Sequence, residues 1–225
     1  MPTLTRDGEV AVLNIGNDEN RFSPEWLEAM HRCLDDVESR SGPAALVTVA
    51  DGKFWSNGLD LDWLMSHTDQ GEWYVDTVQR LLSRVLSLGM PTVAAIQGHC
   101  FAAGGMLAMA HDWRVMRADR GFFCLPEVDL DLPFPPGMDA LLRAKLSPAT
   151  AMESMTTGRR YGGNDALAAG IVTAAVAESE VRSAALDLVR PLTGKAGPNL
   201  GVIKSTMFGE AIRLLAVVHR PKAAG

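Results

Sequence analysis

Two uninterrupted apolar runs, AALVTVA (44–50) and TVAAIQ (92–97), constrain this chain more than any other feature. Gly42-Pro43 and Asp51-Gly52 bound the first, and Gly89-Met90-Pro91 precedes the second. Short continuous runs between turn residues fit strands covered on both faces, the arrangement found where helices pack above and below a parallel sheet. The intervening segments supply helices. Ser23-Pro24-Glu25 is a helix start, and Trp26, Met30, Cys33, Leu34 and Val37 then recur at helical spacing over 24–39. A second helix is predicted over 72–88, with Trp73, Val78, Leu81, Leu82 and Val85 on one face. Residues 9–15, 113–118, 122–125 and 171–176 read as further strands. Helices are expected at 138–146, 148–157, 165–170, 179–191 and 198–217, with a short one after the turn at 98–105. The alternation of the two element types makes the chain α/β.

At 225 residues the chain suits one domain, or one domain with a short appendage. A hydrophobic share of 47% and a charged share of 21% exclude a disordered chain. The net charge of −6, with Lys and Arg scattered, argues against a nucleic-acid binder, while a few local cations or helix N-termini would still suffice for a small anion. The longest apolar stretches are too short to cross a bilayer and no leader opens the chain, so a cytoplasmic protein with no membrane partner is expected. Cys33, Cys100 and Cys124 form no CxxC pair, which points to reduced thiols rather than a disulfide framework or a zinc site. There is no P-loop, no dinucleotide fingerprint, no nucleophile elbow and no H-x-x-x-H pair, so neither a metal nor a separate cofactor is expected.

What remains is a pair of backbone-rich turns, each placed directly after a buried strand: Ser56-Asn57-Gly58-Leu59-Asp60 and Ala102-Ala103-Gly104-Gly105. Small residues let another group approach the main chain, and free N–H groups at a helix start favour an oxygen carrying negative charge. Two such donors would make an oxyanion hole, worth about 3–4 kcal/mol per donor in a transition state. The third piece is Glu127, set among large hydrophobes in FFCLPEV (122–128). Burial raises a carboxyl pKa and makes a better proton shuttle near neutrality. Asp129 and Asp131 follow at strand-like spacing and compete for the role.

Together, FWSNGLDL (54–61), PTVAAIQGHCFAAGGMLAMAHDWRV (91–115), LPEVDLDLPFPPG (125–137) and ALAAGIV (166–172) resemble the crotonase, or enoyl-CoA hydratase/isomerase, family over residues 8–218. The resemblance implies a spiral of strand–strand–helix units over 1–195, and a C-terminal helical segment over 196–225 that usually builds trimers or dimers of trimers. It also implies an acyl-CoA substrate of fatty-acid metabolism, its thioester carbonyl held by the N–H groups of Leu59 and Ala103. Many relatives have glycine where Ala103 stands; alanine keeps the N–H.

The departures narrow the reaction. Hydratases of the family carry two glutamates around a water, and the corresponding positions here are Met106 and Glu127. A thioether moves no proton, so hydration is weakened, whereas one base is enough to shift a double bond from the 3 to the 2 position of an enoyl-CoA. The PEVDL…LPFP segment and the turn at 99–105 look most like short, plant-type 3,2-enoyl-CoA isomerases. Some isomerases place their acid eight residues later, at a position that is Pro135 here. A hydratase, a thioester hydrolase and a non-catalytic acyl-CoA-binding paralogue are the rival readings. Around the substrate the resemblance places Gly58, Asp60, Gly104, Met106 and Pro135. Trp55, Trp63 and Met65 would wall the acyl tunnel, and Arg21, Lys53 and, more distantly, Lys204 would approach the CoA phosphates. Asp60 and Asp62 are expected to hold their loop through backbone hydrogen bonds, and His99 and His111 to be satisfied structural histidines. The last three residues, Ala-Ala-Gly, form no peroxisomal ending.

Overall fold

The computed structural model describes residues 1–217. Its larger sheet has six strands in the order β1 (Thr3–Asp7), β2 (Val10–Asn14), β4 (Ala45–Val49), β7 (Thr92–Ile96), β9 (Trp113–Arg117) and β11 (Ala174–Val176). β1 and β2 form an antiparallel hairpin, and every later pairing is parallel. A second, fully parallel sheet has the order β10 (Phe123–Cys124), β8 (His99–Phe101), β5 (Phe54–Ser56), and β3 (Arg21–Phe22) pairs with β6 (Gly58–Leu59).

Three inner strands of the large sheet, β4, β7 and β9, each continue into a strand of the small one and then into a helix. β4 leads through β5 and β6 to α2 (Leu61–Ser66) and α3 (Gly71–Ser87); β7 leads through β8 to α4 (Ala103–Ala110); and β9 leads through β10 to α5 (Pro136–Lys145). α1 (Pro24–Glu38) precedes this spiral, and α6 (Pro148–Thr157), α7 (Gly163–Ala168), α8 (Val181–Val189), α9 (Pro198–Met207) and α10 (Gly209–Leu215) follow it.

Two cores explain the uninterrupted runs. Ala45, Val47 and Val49 of β4, Val93 and Ala95 of β7 and Val115 of β9 point to one face, against Val181, Ala185, Leu186 and Val189 of α8. The alternate residues Leu46, Ala94, Ile96 and Met116 point to the other face and join the main core with α1, α3 and α4. Thr48, the one polar residue of β4, also turns inward and meets His111 Nε2 at 2.8 Å, while His111 Nδ1 lies 2.8 Å from Leu107 O. A carbonyl only accepts, so Nδ1 carries the proton and Nε2 accepts from the Thr48 hydroxyl. Burial pushes the His111 pKa down to about 3 and keeps the ring neutral. His111 is thus the structural histidine expected.

Several elements differ from the sequence reading. β1 is exposed and mostly polar, so it carries no apolar signal. α2 lies inside the segment read as a loop because Asp60 caps it, accepting from Trp63 N at 3.2 Å. The helix expected over 179–191 is α8 flanked by two 3₁₀ turns, the second containing Pro191, which lacks the N–H an α-helix needs. The helix expected over 198–217 breaks at Phe208-Gly209, where α9 and α10 take different partners. Residues 218–225 of the expected C-terminal segment lie outside the described residues.

α9 is tied to the spiral by Lys204. Its ammonium is buried, donating to Met90 O at 2.7 Å and to Asp112 Oδ2 at 2.6 Å. Lys204 therefore points into the protein rather than towards solvent or a CoA phosphate. Desolvation outweighs the attraction of Asp112 and lowers its pKa. α10 lies directly on the first turn of α5, where a Cβ on Gly137 would come within 2.7 Å of Leu215 Cα. Lys204→Ala would strand the Asp112 carboxylate in a poorly solvated place, at an expected cost of about 3–5 kcal/mol. Urea unfolding should show this as a lowered midpoint, and an unchanged midpoint would refute the anchoring role.

Candidate active site

The parallel register of the small sheet decides where the candidate residues lie. β5, β8 and β10 run the same way side by side, so the segments leaving their carboxyl ends emerge together. β5 releases Asn57-Gly58-Leu59, β8 releases Ala102-Ala103 and β10 releases Leu125-Pro126-Glu127. Carboxyl ends of parallel strands are the usual place for a ligand in α/β sheets.

The first two turns touch. Gly58 has φ +78°, and a Cβ there would come 2.7 Å from Ala103 N, 3.0 Å from Gly104 N and 3.1 Å from Phe101 O. Only glycine lets the 58–59 main chain lie against the start of α4. A Cβ on Gly104 would in turn strike Ser56 O at 2.6 Å. Ala103 is the first residue of α4, where a backbone N–H has no acceptor within the helix. Ala102, just before it, has φ 50° and ψ −128°, a conformation that glycine adopts easily and alanine does not. The strain re-aims the chain between β8 and α4.

Glu127 reaches the same end from the other side of β8. Cys100 N donates to Phe122 O at 2.9 Å and Ala102 N to Cys124 O at 3.0 Å, zipping β10 onto β8. Gly105 faces Phe123 and Leu125, where a Cβ would come 3.2 Å from the ring and 3.3 Å from the leucine methyl, a tight fit. The Glu127 carboxyl opens a 3₁₀ turn, is buried, and has an Oε2 shielded from solvent with no hydrogen-bond partner among the described residues. Burial raises its pKa to about 7, partly opposed by its own backbone N–H. Asp129 and Asp131 are exposed. Of the three acids only Glu127 is buried, because the 3₁₀ turn replaces the strand that would have put them on one face.

A sequence profile described as enoyl-CoA hydratase/isomerase matches residues 5–215. The chain belongs to that family. It is 34% identical to enoyl-CoA delta isomerase 3 of Arabidopsis thaliana over 226 residues, covering 96% of this chain and 95% of the relative. It is likewise 34% identical to the peroxisomal enoyl-CoA delta isomerase 2 of the same plant, covering 98% and 97%. Among solved structures, an enoyl-CoA isomerase of Mycobacterium tuberculosis superposes with a TM-score of 0.85 at 23% identity, covering 95% of this chain and 93% of that one, which establishes the crotonase fold.

The other expected residues of this hydratase/isomerase family member are spread over the turns, the helices and the core. Gly104 and Met106 lie on α4, with Met106 buried one turn into the helix. Asp60 caps α2 and donates its N–H to Tyr74 Oη at 2.8 Å, the loop-holding role expected of it. Trp63 stacks on His67 at 4.4 Å and leans on Tyr74 at 5.2 Å, half-buried above the loop, whereas Met65 is exposed. Trp55 is fully enclosed in the main core, edge-on to His111. Arg21 is already engaged by Glu19 at 2.5 Å and Asp62 at 2.8 Å, and Lys53 is exposed over the Phe54 ring. Pro135 is half-buried immediately before α5. Among the described residues no group of three or more His, Cys, Asp and Glu could hold a metal ion.

The residues missed are those that brace the first turn. Asn20 donates to Trp55 O at 3.0 Å, and Ser56 Oγ donates to Asn20 O at 2.8 Å while accepting from Gly58 N at 3.0 Å. The two bonds that involve Asn20 span 35 and 36 residues of sequence, and nothing local announces them. Ala102→Gly should relieve the strain of roughly 1–3 kcal/mol, less the entropy an added glycine costs. A net rise of about 1 kcal/mol in urea unfolding is expected, and a loss would show that alanine is comfortable there.

Proposed function

We propose that the protein shifts the double bond of a 3-enoyl-CoA to the 2 position. The observation that carries this reading is the single buried carboxylate, with one oxygen unpartnered, beside the two turns. The Glu127 carboxylate takes a proton from the carbon alpha to the thioester. The electron pair of that C–H bond moves into the chain and onto the carbonyl oxygen, giving a dienolate whose oxygen accepts from the N–H groups of Leu59 and Ala103. The protonated Glu127 then delivers the same proton to the gamma carbon, and the double bond reforms at the 2 position. No atom is gained or lost, and CoA remains part of the substrate, so the reaction as written calls for no further cofactor. A base with a pKa near 7 suits it, since it must both take and return a proton at neutral pH. Met106, buried where the family's hydratases place a second carboxylate, leaves no partner to position a water.

The reading includes an assembly and a compartment. Val202, Ile203 and Met207 are exposed along α9, and a groove of about 570 Å³ between α5, α6 and the α9–α10 joint is edged by Met152 and Met207. An apolar face of this kind supports contact between copies of the chain, and a homotrimer or a dimer of trimers is the form proposed. Light scattering that returned a monomer would reject it. No helix of the described residues is long and apolar enough to cross a membrane, and the cytoplasm is the compartment proposed.

Wild type incubated with trans-3-hexenoyl-CoA should yield 2-hexenoyl-CoA on chromatography. Glu127→Gln should still bind the thioester but turn over about 10²–10⁴-fold more slowly. Because Glu127 works as a carboxylate, kcat/KM should rise with pH through about 7 and then level off. Formation of 3-hydroxyacyl-CoA from a 2-enoyl substrate, with no isomerisation, would make the protein a hydratase. Tight binding without turnover would make it an acyl-CoA binder.

A further inference from the structure

The Leu59 N–H, to which the proposed function gives the thioester oxygen, lies between two main-chain N–H groups that distant side chains hold. On one side Gly58 N donates to Ser56 Oγ at 3.0 Å, and Ser56 is fixed in turn by donating to Asn20 O at 2.8 Å. On the other side Asp60 N donates to Tyr74 Oη at 2.8 Å. Tyr74 closes the first turn of α3, is wholly enclosed, and belongs to a helix packed on α1, α4 and α10. We infer that Tyr74 is a positioning residue of the reaction: its hydroxyl clamps the peptide after Leu59 and so keeps the Leu59 N–H aimed at the thioester oxygen. The inference rests on the function proposed above.

The chain that follows Leu59 has little else to hold it. Neither α2 nor the 3₁₀ turn at Thr68–Gln70 contains a buried residue, and Trp63 and Leu64 are only half-buried against the core. A segment with so few buried contacts opens at low cost, and a turn running straight into it would share the movement. Three contacts that form a closed triangle oppose this. Tyr74 Oη takes the Asp60 N–H, Asp60 Oδ1 accepts from Trp63 N at 3.2 Å, and the Trp63 ring lies 5.2 Å from the Tyr74 ring. Of these three residues only Tyr74 belongs to the core, so it is the fixed post to which the others are tied. The corner it holds is the one beside Leu59.

The chemistry of the acceptor also suits the place. Burial pushes the Tyr74 phenol well above its ordinary pKa, so the hydroxyl stays neutral. A carboxylate in its position would hold the Asp60 N–H equally well but would set a negative charge beside the oxygen on which charge develops. A neutral oxygen fixes the peptide without opposing the dienolate. Since that charge grows only as the alpha proton leaves, a donor that drifts off its line harms the transition state more than the bound substrate.

Tyr74→Phe keeps the ring and its contact with Trp63 and removes only the oxygen. Val189→Ala, in the second core against α8, is the control for stability lost elsewhere. With 3-hexenoyl-CoA, kcat should fall about 10-fold to 100-fold in Tyr74→Phe while KM stays within about twofold, and Val189→Ala should change neither. Acetoacetyl-CoA, a 3-oxoacyl thioester whose enolate absorbs in the near ultraviolet, reports on the same donors without turnover. Donors aimed at the oxygen favour the charged form, so wild type should lower the pH at which the bound enolate appears. Tyr74→Phe should raise that pH by about one unit, a tenfold loss of preference for the enolate. The proposal is overturned if Tyr74→Phe loses stability but keeps wild-type kcat and enolate pH, if only KM rises, or if kcat falls with the enolate pH unmoved. Should wild type bind the enolate but isomerise no 3-enoyl thioester, the isomerase reading falls and the enolate pH alone judges Tyr74. Should wild type do neither, both readings fall.

Discussion

β8 is hydrogen-bonded along both edges, to β5 and to β10, and the geometry at the site follows from that. Three parallel strands only two or three residues long would be worthless in isolation, since they bury little and close few hydrogen bonds. They persist because each continues from a strand of the large sheet whose alternate residues are locked into two separate cores. The large sheet supplies the stability, and the small one turns it into position. A slip of one residue between β8 and β10 would carry the turn that bears Glu127 about 3 Å along β8, so the register fixes where that carboxyl sits.

The sequence displayed the parts of the fold that depend on local pattern. The runs at 44–50 and 92–97 became β4 and β7, and Ser23-Pro24 capped α1 with the Ser23 hydroxyl accepting from Trp26 N. It hid what depends on distant partners. β1 is polar and forms only because β2 offers an edge, and Lys204 reads as a cation free to approach a CoA phosphate because its acceptors lie 92 and 114 residues away. At the site, Gly58 and Glu127 were visible from composition around them, and the structure explains both. The bracing pair Asn20 and Ser56 was not, since asparagine and serine are ordinary loop residues until the fold brings them together.

The same region holds two unfavourable features side by side. Ala102 sits in a backbone conformation it resists, and Glu127 is a carboxyl kept from water without a full set of partners. Neither is compensated locally. Both are tolerated because the surrounding helices and sheet over-determine their positions, which is how strained or poorly solvated groups survive in folded proteins. The C-terminal helices contribute to this rigidity, with α10 seated on the first turn of α5 and α9 fastened through Lys204.

The contact between Gly58 and the start of α4 has an evolutionary meaning. The N–H groups assigned to the oxyanion in the proposed function are main-chain atoms, so they belong to the path of the backbone and not to any side chain. Substitution at Leu59 or Ala103 leaves the donors in place, and only a change that bends the chain, such as a side chain at Gly58, removes them. The apparatus that would polarise a thioester is thus nearly immune to drift, while the acids around it are each a single codon. Under the proposed function, a lineage built on this scaffold could exchange one proton-transfer reaction for another by changing which positions near the turns carry carboxylates, with the main-chain donors left as they are.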